Sequence, residues 1–215
     1  MGYAIMRIDK VKSISDGNAR IKHNRREVRC VTSNPDRQNI RLNLSESMRC
    51  DKSRTFKEMF DKCVKGQKIR KNAVYAIEVI LTFSPESISD DALFTWAKDN
   101  ANWLRKIFGE DNIVDCQLHL DEKTPHIHAM VIPIDSKGKL NARAFVGGVR
   151  NRLVELQTDY AEAMKCHGLK RGICREMTKA RHESYVRWMA RQAEKEERLQ
   201  EYERQFIHKT VSRNP

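Results

Sequence analysis

The segment that most constrains this chain is Asn112–Ile134, NIVDCQLHLDEKTPHIHAMVIPI. Two runs with apolar residues at alternate positions flank DEKTP, a link too short for a crossover, so the runs form an antiparallel hairpin. Side chains of a strand alternate between faces. His126 and His128 therefore share a face. His119, on the preceding strand, joins them only when paired residue numbers sum to an odd constant, as when His119 opposes His128. An even sum turns His119 away, because a one-residue slip moves every side chain to the other face. The odd register is expected. It gathers Cys116, Leu118, Leu120, Ile127, Ala129 and Val131 on one apolar face for helices to cover, and leaves three imidazoles on the other.

The remaining elements can be read around that hairpin. Tyr3–Val11 reads as a first strand, followed by a short helix with Ser15 or Asp16 as N-cap. After the polar, turn-rich TSNPDRQN, Ile40–Ser45 alternates as an edge strand. Phe56, Met59, Phe60 and Cys63 fall at helical spacing, and Gly66 stops that helix. Ala73–Ser84, AVYAIEVILTFS, is the strongest strand, rich in β-branched and aromatic residues. A helix from Ser87 to Gly109 follows, with Leu93, Trp96, Ala97, Trp103, Leu104 and Ile107 as its apolar face. Another helix spans Gly148–Gly168. This order predicts an α+β domain: a mainly antiparallel sheet of about five strands, with the long helices on one face and the other face free to carry a site. Beyond Gly172 charge is almost continuous, and Tyr185, Trp188, Met189, Leu199, Tyr202 and Phe206 make only a loose stripe. Residues 1–172 are therefore expected as one domain and residues 173–215 as a basic, charged helical extension.

Among 215 residues, 41 Lys+Arg stand against 29 Asp+Glu, a net charge of +12. Such an excess points to a polyanionic partner, nucleic acid before an anionic membrane. No apolar run reaches the roughly 18 residues of a spanning helix, so membrane insertion is not expected. The N-terminus lacks a signal peptide's apolar block, and MGYAIM lacks the Ser or Thr of a myristoylation pattern. The six cysteines, at positions 30, 50, 63, 116, 166 and 174, contain no C-x-x-C pair. They read as reduced thiols in a cytoplasm rather than as a zinc ribbon or redox motif.

Three neutral imidazoles on one sheet surface suit a divalent first-row metal. Three protein ligands leave coordination positions open, which is the pattern of a catalytic rather than a structural ion. Asp121 and Glu122 are placed to orient an imidazole N–H or to activate a nucleophile, and spacing does not choose between them. A metal that merely staples the hairpin of a DNA-binding regulator fits the same donors. A zinc hydrolase of small substrates also fits them but leaves the charge unexplained.

The string HLDEKTPHIHAMVIP resembles the third motif of the Mob/Pre (MobV-type) plasmid mobilisation relaxases, a branch of the HUH endonucleases, with His126-Ile127-His128 as the paired histidines. YAIMRIDKVK resembles the family's first strand, IKHNRREV its KHNxR first motif, and NIRLN, IRKNAV and HGLKRG follow in family-like order. The resemblance covers roughly residues 3–180. It implies an HUH-relaxase fold and a nickase that cleaves and rejoins one strand at a transfer origin with a divalent ion, Mn2+ or Mg2+. It implies metal ligation by His119, His126 and His128, nucleophilic attack by His23, a phosphate-steadying Arg26 and an activating Glu122.

On that reading a neutral nitrogen of His23 attacks a phosphodiester, giving a covalent 5′-phospho-histidine and a free 3′-hydroxyl. Tyr3 and Tyr75 are the rival nucleophiles. Arg7, Lys22 and Arg25 surround the nucleophile and would neutralise phosphates. Lys170, Arg171 and Arg175 open the basic tail, which would grip a transfer-origin hairpin beside the nick. The implied partners are single-stranded DNA, other relaxosome or coupling proteins, and a second copy through a C-terminal region outside this chain. A rolling-circle replication initiator of the same superfamily is the alternative with the same chemistry.

Overall fold

The computed structural model describes residues 2–28, 41–43, 53–85, 87–147 and 151–173, together with 187, 190, 191, 193–198, 200 and 201. The first strand runs over Gly2–Val11 (β1) and leads into helix α1, Ile14–Asn24. Ser13 caps this helix, not Ser15 or Asp16. Its side chain accepts from the Asp16 amide at 3.1 Å and so satisfies an otherwise orphaned helix-start donor. Arg41–Asn43 (β2) is the short edge strand. Helix α2, Phe56–Val64, opens on a capping box between Thr55 and Glu58.

Ala76–Phe83 (β3) is followed by the long helix α3, Asp90–Phe108, which Gly109 closes. The hairpin is β4, Ile113–His119, and β5, His126–Val131. Helix α4, Ala142–Val146, helix α5, Arg152–Ala163, and strand β6, Leu169–Arg171, complete the order. The two shortest of these, α4 and β6, carry too few residues for a period to be read from sequence.

The six strands lie in the order β2-β4-β5-β3-β1-β6. All neighbours pair antiparallel except β6, which adds one parallel edge against β1 and takes the sheet one strand beyond the expected five or so. In the hairpin His119 opposes His126, Leu118 opposes Ile127 and Gln117 opposes His128. The partner of His119 differs by two residues from the expected His128, so the parity is the same. All three imidazoles share a face.

One face of the sheet is covered by α3 and α5. Met6, Ile77, Val79, Leu81 and Phe83 meet Trp96, Leu104, Phe108, Leu156 and Tyr160 there, with Cys116, Leu118, Ile127, Ala129 and Val131 from the hairpin. A polar link between these two helices is buried in that layer and satisfied: Tyr160 Oη donates to Asn100 Oδ1 at 2.9 Å. The opposite face is not bare. At one end α1 and α2 pack Ile21, Phe56, Met59, Phe60 and Val64 over Val11, Ala76, Val114, Met130 and Ile132. Gly17 allows this, because a Cβ there would lie 2.2 Å from the Phe56 ring.

Helix α1 starts beyond Val11 at that apolar end and turns back over the sheet. About 16 Å of helix carries its C-terminus to the histidine end of the same face. It stops in a Schellman motif: Glu27 N–H donates to Lys22 O at 2.8 Å and Arg26 N–H to His23 O at 3.0 Å. The left-handed position of that motif, usually glycine, is Arg26 with φ 57°.

The chain divides into two compact units, Met1–Gly172 and Ile173–Pro215. The described residues of the second unit are helical and exposed, apart from Ile173 at its start, which is exposed but lies outside any helix. Arg175, three of the cysteines (30, 50 and 174), the TSNPDRQN stretch and most of the charged tail lie outside the described residues. Cys63, Cys116 and Cys166 are thiols rather than disulfide-bonded half-cystines. No helix among the described residues is long and apolar enough to cross a membrane.

Candidate metal centre

The rings of His119, His126 and His128 form a near-equilateral triangle, with centroids 4.8–5.0 Å apart. Each has one nitrogen fixed outward as a donor. His119 Nε2 meets the Asn24 carbonyl at 2.7 Å, His126 Nδ1 the Thr124 carbonyl at 2.9 Å, and His128 Nδ1 the Glu78 carboxylate at 2.9 Å. Carbonyls and carboxylates only accept, so these contacts fix the tautomers. The lone pairs of His119 Nδ1, His126 Nε2 and His128 Nε2 are left for the interior of the triangle. One ligand atom from each histidine lies within 4.8 Å of the others.

His119 Nδ1 and His126 Nε2 are only 3.2 Å apart. Two imidazole lone pairs this close repel unless a cation or a proton lies between them, and about 3 Å is the spacing two nitrogens take on one ion with bonds near 2.1 Å. The residues present therefore fit a divalent metal. Burial, reinforced by the neighbouring His128, drives the pKa of His119 and of His126 down, which keeps both rings neutral and able to ligate.

Glu78 and Asn24 hold this triangle, and neither was singled out from sequence. Glu78 is only 4% exposed. Burial alone would raise its pKa, but hydrogen bonds from His128, Asn24 and Arg20 outweigh that and hold the carboxylate at about 2. Asn24 is fully buried. Its Nδ2 donates to Glu78 Oε1 at 3.1 Å, while its Oδ1 makes no hydrogen bond among the described residues. An unsatisfied buried acceptor costs about 1–3 kcal/mol, so stability alone does not explain an asparagine here. The available signals were an acid in the middle of the most apolar strand, and the residue directly after His23.

The turn residues divide their work. Asp121 grips Arg26 in a two-pronged ion pair, Oδ2 with Nε at 2.9 Å and Oδ1 with Nη2 at 2.8 Å. Glu122 Oε1 shares that Nη2 at 2.7 Å and lies 3.8 Å from His126 Nε2. His23 stands on the rim of the triangle, its centroid 6.3 Å from His119 and 6.1 Å from His128. Its Nε2 faces Arg26 Nη1 at 3.5 Å. Burial, then the charge of Arg26, lowers the pKa of His23.

The other basic residues fall in different places. Arg7 is exposed on the site face, and Lys22 is exposed on α1. Lys170 is exposed on β6, opposite Tyr3. Arg25, expected to meet phosphate, instead turns inward, pairing with the fully buried Asp115 at 2.9 Å and donating to Arg54 O at 3.1 Å. Arg171 ends β6. It bonds Gln157 on α5 at 2.8 Å, and its register with Ala4 puts it on the face away from the histidines. Of the rival nucleophiles, Tyr3 is exposed two strands from β5, and Tyr75 stacks on Phe60 at 4.7 Å.

The chain matches the family model described as plasmid recombination enzyme, Mob_Pre, over residues 1–190. A 65 kDa protein of Zymomonas mobilis is 37% identical over 191 residues, covering 86% of this chain and 32% of that protein. Plasmid recombination enzyme type 3 of Staphylococcus aureus is 31% identical over 196 residues, covering 85% of this chain and 46% of that one. The chain thus spans a third to a half of the length of these relatives. The manganese-bound MobM relaxase domain in complex with plasmid oriT DNA superposes with a TM-score of 0.75 at 29% identity, covering 87% of this chain and 98% of that domain. A sheet-borne trio of imidazoles beside a fourth histidine, in a chain matched over most of its length, leads to one assignment: this chain belongs to the Mob_Pre family of plasmid recombination enzymes.

Proposed function

We propose that this chain is the DNA-nicking part of a mobilisation relaxase, cutting and rejoining one strand at a transfer origin with a divalent ion, in the bacterial cytoplasm. One observation carries the mechanism: His23 stands on the rim of the histidine triangle, about 6 Å from two of its rings. His119 Nδ1, His126 Nε2 and His128 Nε2 would hold the ion, Mn2+ or Mg2+. The ion supplies Lewis-acid stabilisation of charge on the phosphate oxygens.

The chain's own residues do the rest. His23 attacks phosphorus with an unprotonated nitrogen; a P–N bond forms, the P–O3′ bond breaks, the 3′-oxygen takes a proton from water to become a hydroxyl, and the phosphorylated ring gives up the proton of its other nitrogen. Its lowered pKa keeps the ring unprotonated near neutrality. Arg26, held by Asp121 and Glu122, presents a guanidinium beside His23 where the phosphate charge would lie. Asp121 is committed to orienting Arg26. Glu122, beside both Arg26 and His126, is the carboxylate assigned to proton handling. Arg7, Lys22 and Lys170 are the remaining proposed phosphate contacts, and residues 173–215 are the proposed grip on a hairpin.

The test is to incubate the protein with single-stranded transfer-origin oligonucleotides and Mn2+, then map the 5′-linked product to a residue. The expected adduct is on His23, lost in His23→Ala and retained in Tyr3→Phe. An adduct that persists in His23→Ala overturns the assignment.

A further inference from the structure

Two of the three metal-binding imidazoles are anchored to one residue of helix α1, the residue next to His23. The carbonyl of Asn24 receives His119 Nε2–H at 2.7 Å. The Asn24 side chain donates at 3.1 Å to Glu78 Oε1, the same oxygen that receives His128 Nδ1–H at 2.9 Å. Glu78 Oε2 is bonded in turn by Arg20, one turn back on the same helix. The end of α1 is therefore tied to His119 through its backbone and to His128 through Glu78.

We infer that Asn24 and Glu78 are positioning residues that join the metal triangle and the nucleophile's helix into one unit, so that ion binding and the placement of His23 are energetically coupled. The inference rests on the reading of His23 given above. Fixing His119 and His128 in the ligating tautomer requires the acceptors that α1 and β3 supply. Because binding free energies are reciprocal, loosening the helix end must weaken the ion, although Asn24 is not a ligand. The C-terminal end of α1, with its partial negative charge, also faces the side where the cation would sit.

The experiment measures Mn2+ affinity of the metal-free protein by calorimetry, and single-turnover adduct formation at saturating Mn2+, for Glu78→Gln, Glu78→Ala, Asn24→Ala and the double Glu78→Ala/Asn24→Ala. Glu78→Ala should weaken Mn2+ about 10–100-fold, the usual cost of losing an outer partner of a ligand. Glu78→Gln keeps an oxygen acceptor and should recover part of that loss. Asn24→Ala keeps the backbone bond to His119, so it should weaken Mn2+ several-fold. It should also slow adduct formation even when the ion is saturating, because the residue next to His23 loses its side-chain tie to Glu78. The double variant should lose less than the product of the single losses.

Wild-type Mn2+ affinity in Glu78→Ala, or fully multiplicative losses in the double variant, overturns the proposal. The affinity readout does not use cleavage. If His23→Ala still forms the adduct, the nucleophile assignment fails while the coupling of Asn24 and Glu78 to the ion is still decided by calorimetry. Glu78→Gln preserves volume and decides the matter should Glu78→Ala fail to fold.

Discussion

The two faces of one sheet divide the protein's work. Strands β3, β4 and β5 send Ile77, Val79, Leu81, Cys116, Leu118, Ile127, Ala129 and Val131 into an apolar layer under α3 and α5. Among the intervening residues of the same strands, Glu78, Asp115, Gln117, His119, His126 and His128 build a polar layer on the other side, beside the apolar patch of Ala76, Val114 and Met130 under α1 and α2. Neighbours in sequence thus serve stability and chemistry separately. The difference teaches that substitutions a single residue apart should move different observables.

The largest expected effect is on the polar side. His126→Ala should abolish tight Mn2+ binding and slow adduct formation roughly a thousand-fold or more, since a metal contributes several kcal/mol of transition-state stabilisation. Its metal-free thermal unfolding should stay cooperative and near wild type. If His126→Ala unfolds the protein instead, the division between the faces is not real.

Asp115→Ala should break the comparison from within. Asp115 lies on the polar face, yet its partner Arg25 is buried with it. Losing the carboxylate leaves a guanidinium in the interior, at a cost of about 3–5 kcal/mol. Chemical denaturation should show that loss, with Mn2+ affinity of the folded protein little changed. Leu118→Ala on the apolar side should cost about 2–5 kcal/mol by the same measurement, again leaving the ion's affinity intact. A large fall in Mn2+ affinity with Leu118→Ala would show that packing under the sheet sets the ligand geometry above it.

Acid should also separate the faces. The pKa values of His119, His126 and His23 are lowered by burial first and by neighbouring cationic or ring groups second. The unfolded chain therefore binds more protons than the folded one below about pH 6.5, so metal-free stability is fully present above that pH and declines as pH falls toward the folded-state values. Melting temperature should drop steadily between pH 7 and pH 5 in chelator, and a His119→Gln variant should flatten the profile. Competition between proton and Mn2+ is displaced downward for the same reason, so the ion should still bind well below pH 6.5. A melting temperature independent of pH over that range would refute the sign.

Much of this arrangement was legible in the residues. Apolar alternation favours the odd parity that β4 and β5 adopt, and parity alone places His119 with His126 and His128; the exact partner of His119 does not follow, because shifting by two residues leaves every face unchanged. The long helices were read from apolar spacing, whereas three-residue β6 and five-residue α4 fall below any detectable period. Covering of the second face by α1 and α2 was missed because it depends on Gly17 admitting Phe56, a tertiary fit. Arg25 and Arg26 are adjacent and chemically identical in sequence. Only the helix ending separates them, sending one to buried Asp115 and the other to Asp121 and Glu122. Glu78 and Asn24 came into view only when strand and helix were brought together.

The smallest effect sharpens the comparison at its narrowest point, the end of α1. A left-handed residue with a Cβ is strained by about 1 kcal/mol relative to glycine, and such strain persists where the side chain is needed. Arg26 occupies that position with φ 57° while its guanidinium bonds Asp121 and Glu122. Arg26→Gly and Arg26→Ala lose the same guanidinium, so their difference isolates the backbone. The glycine variant should be the more stable by about 1 kcal/mol in denaturant unfolding, because glycine enters the left-handed region without steric cost. Neither should restore adduct formation, since both remove the cation beside His23. If alanine proves as stable as glycine, residue 26 is not left-handed in solution. The turn that carries its side chain from the helix to the hairpin would then have to be drawn differently.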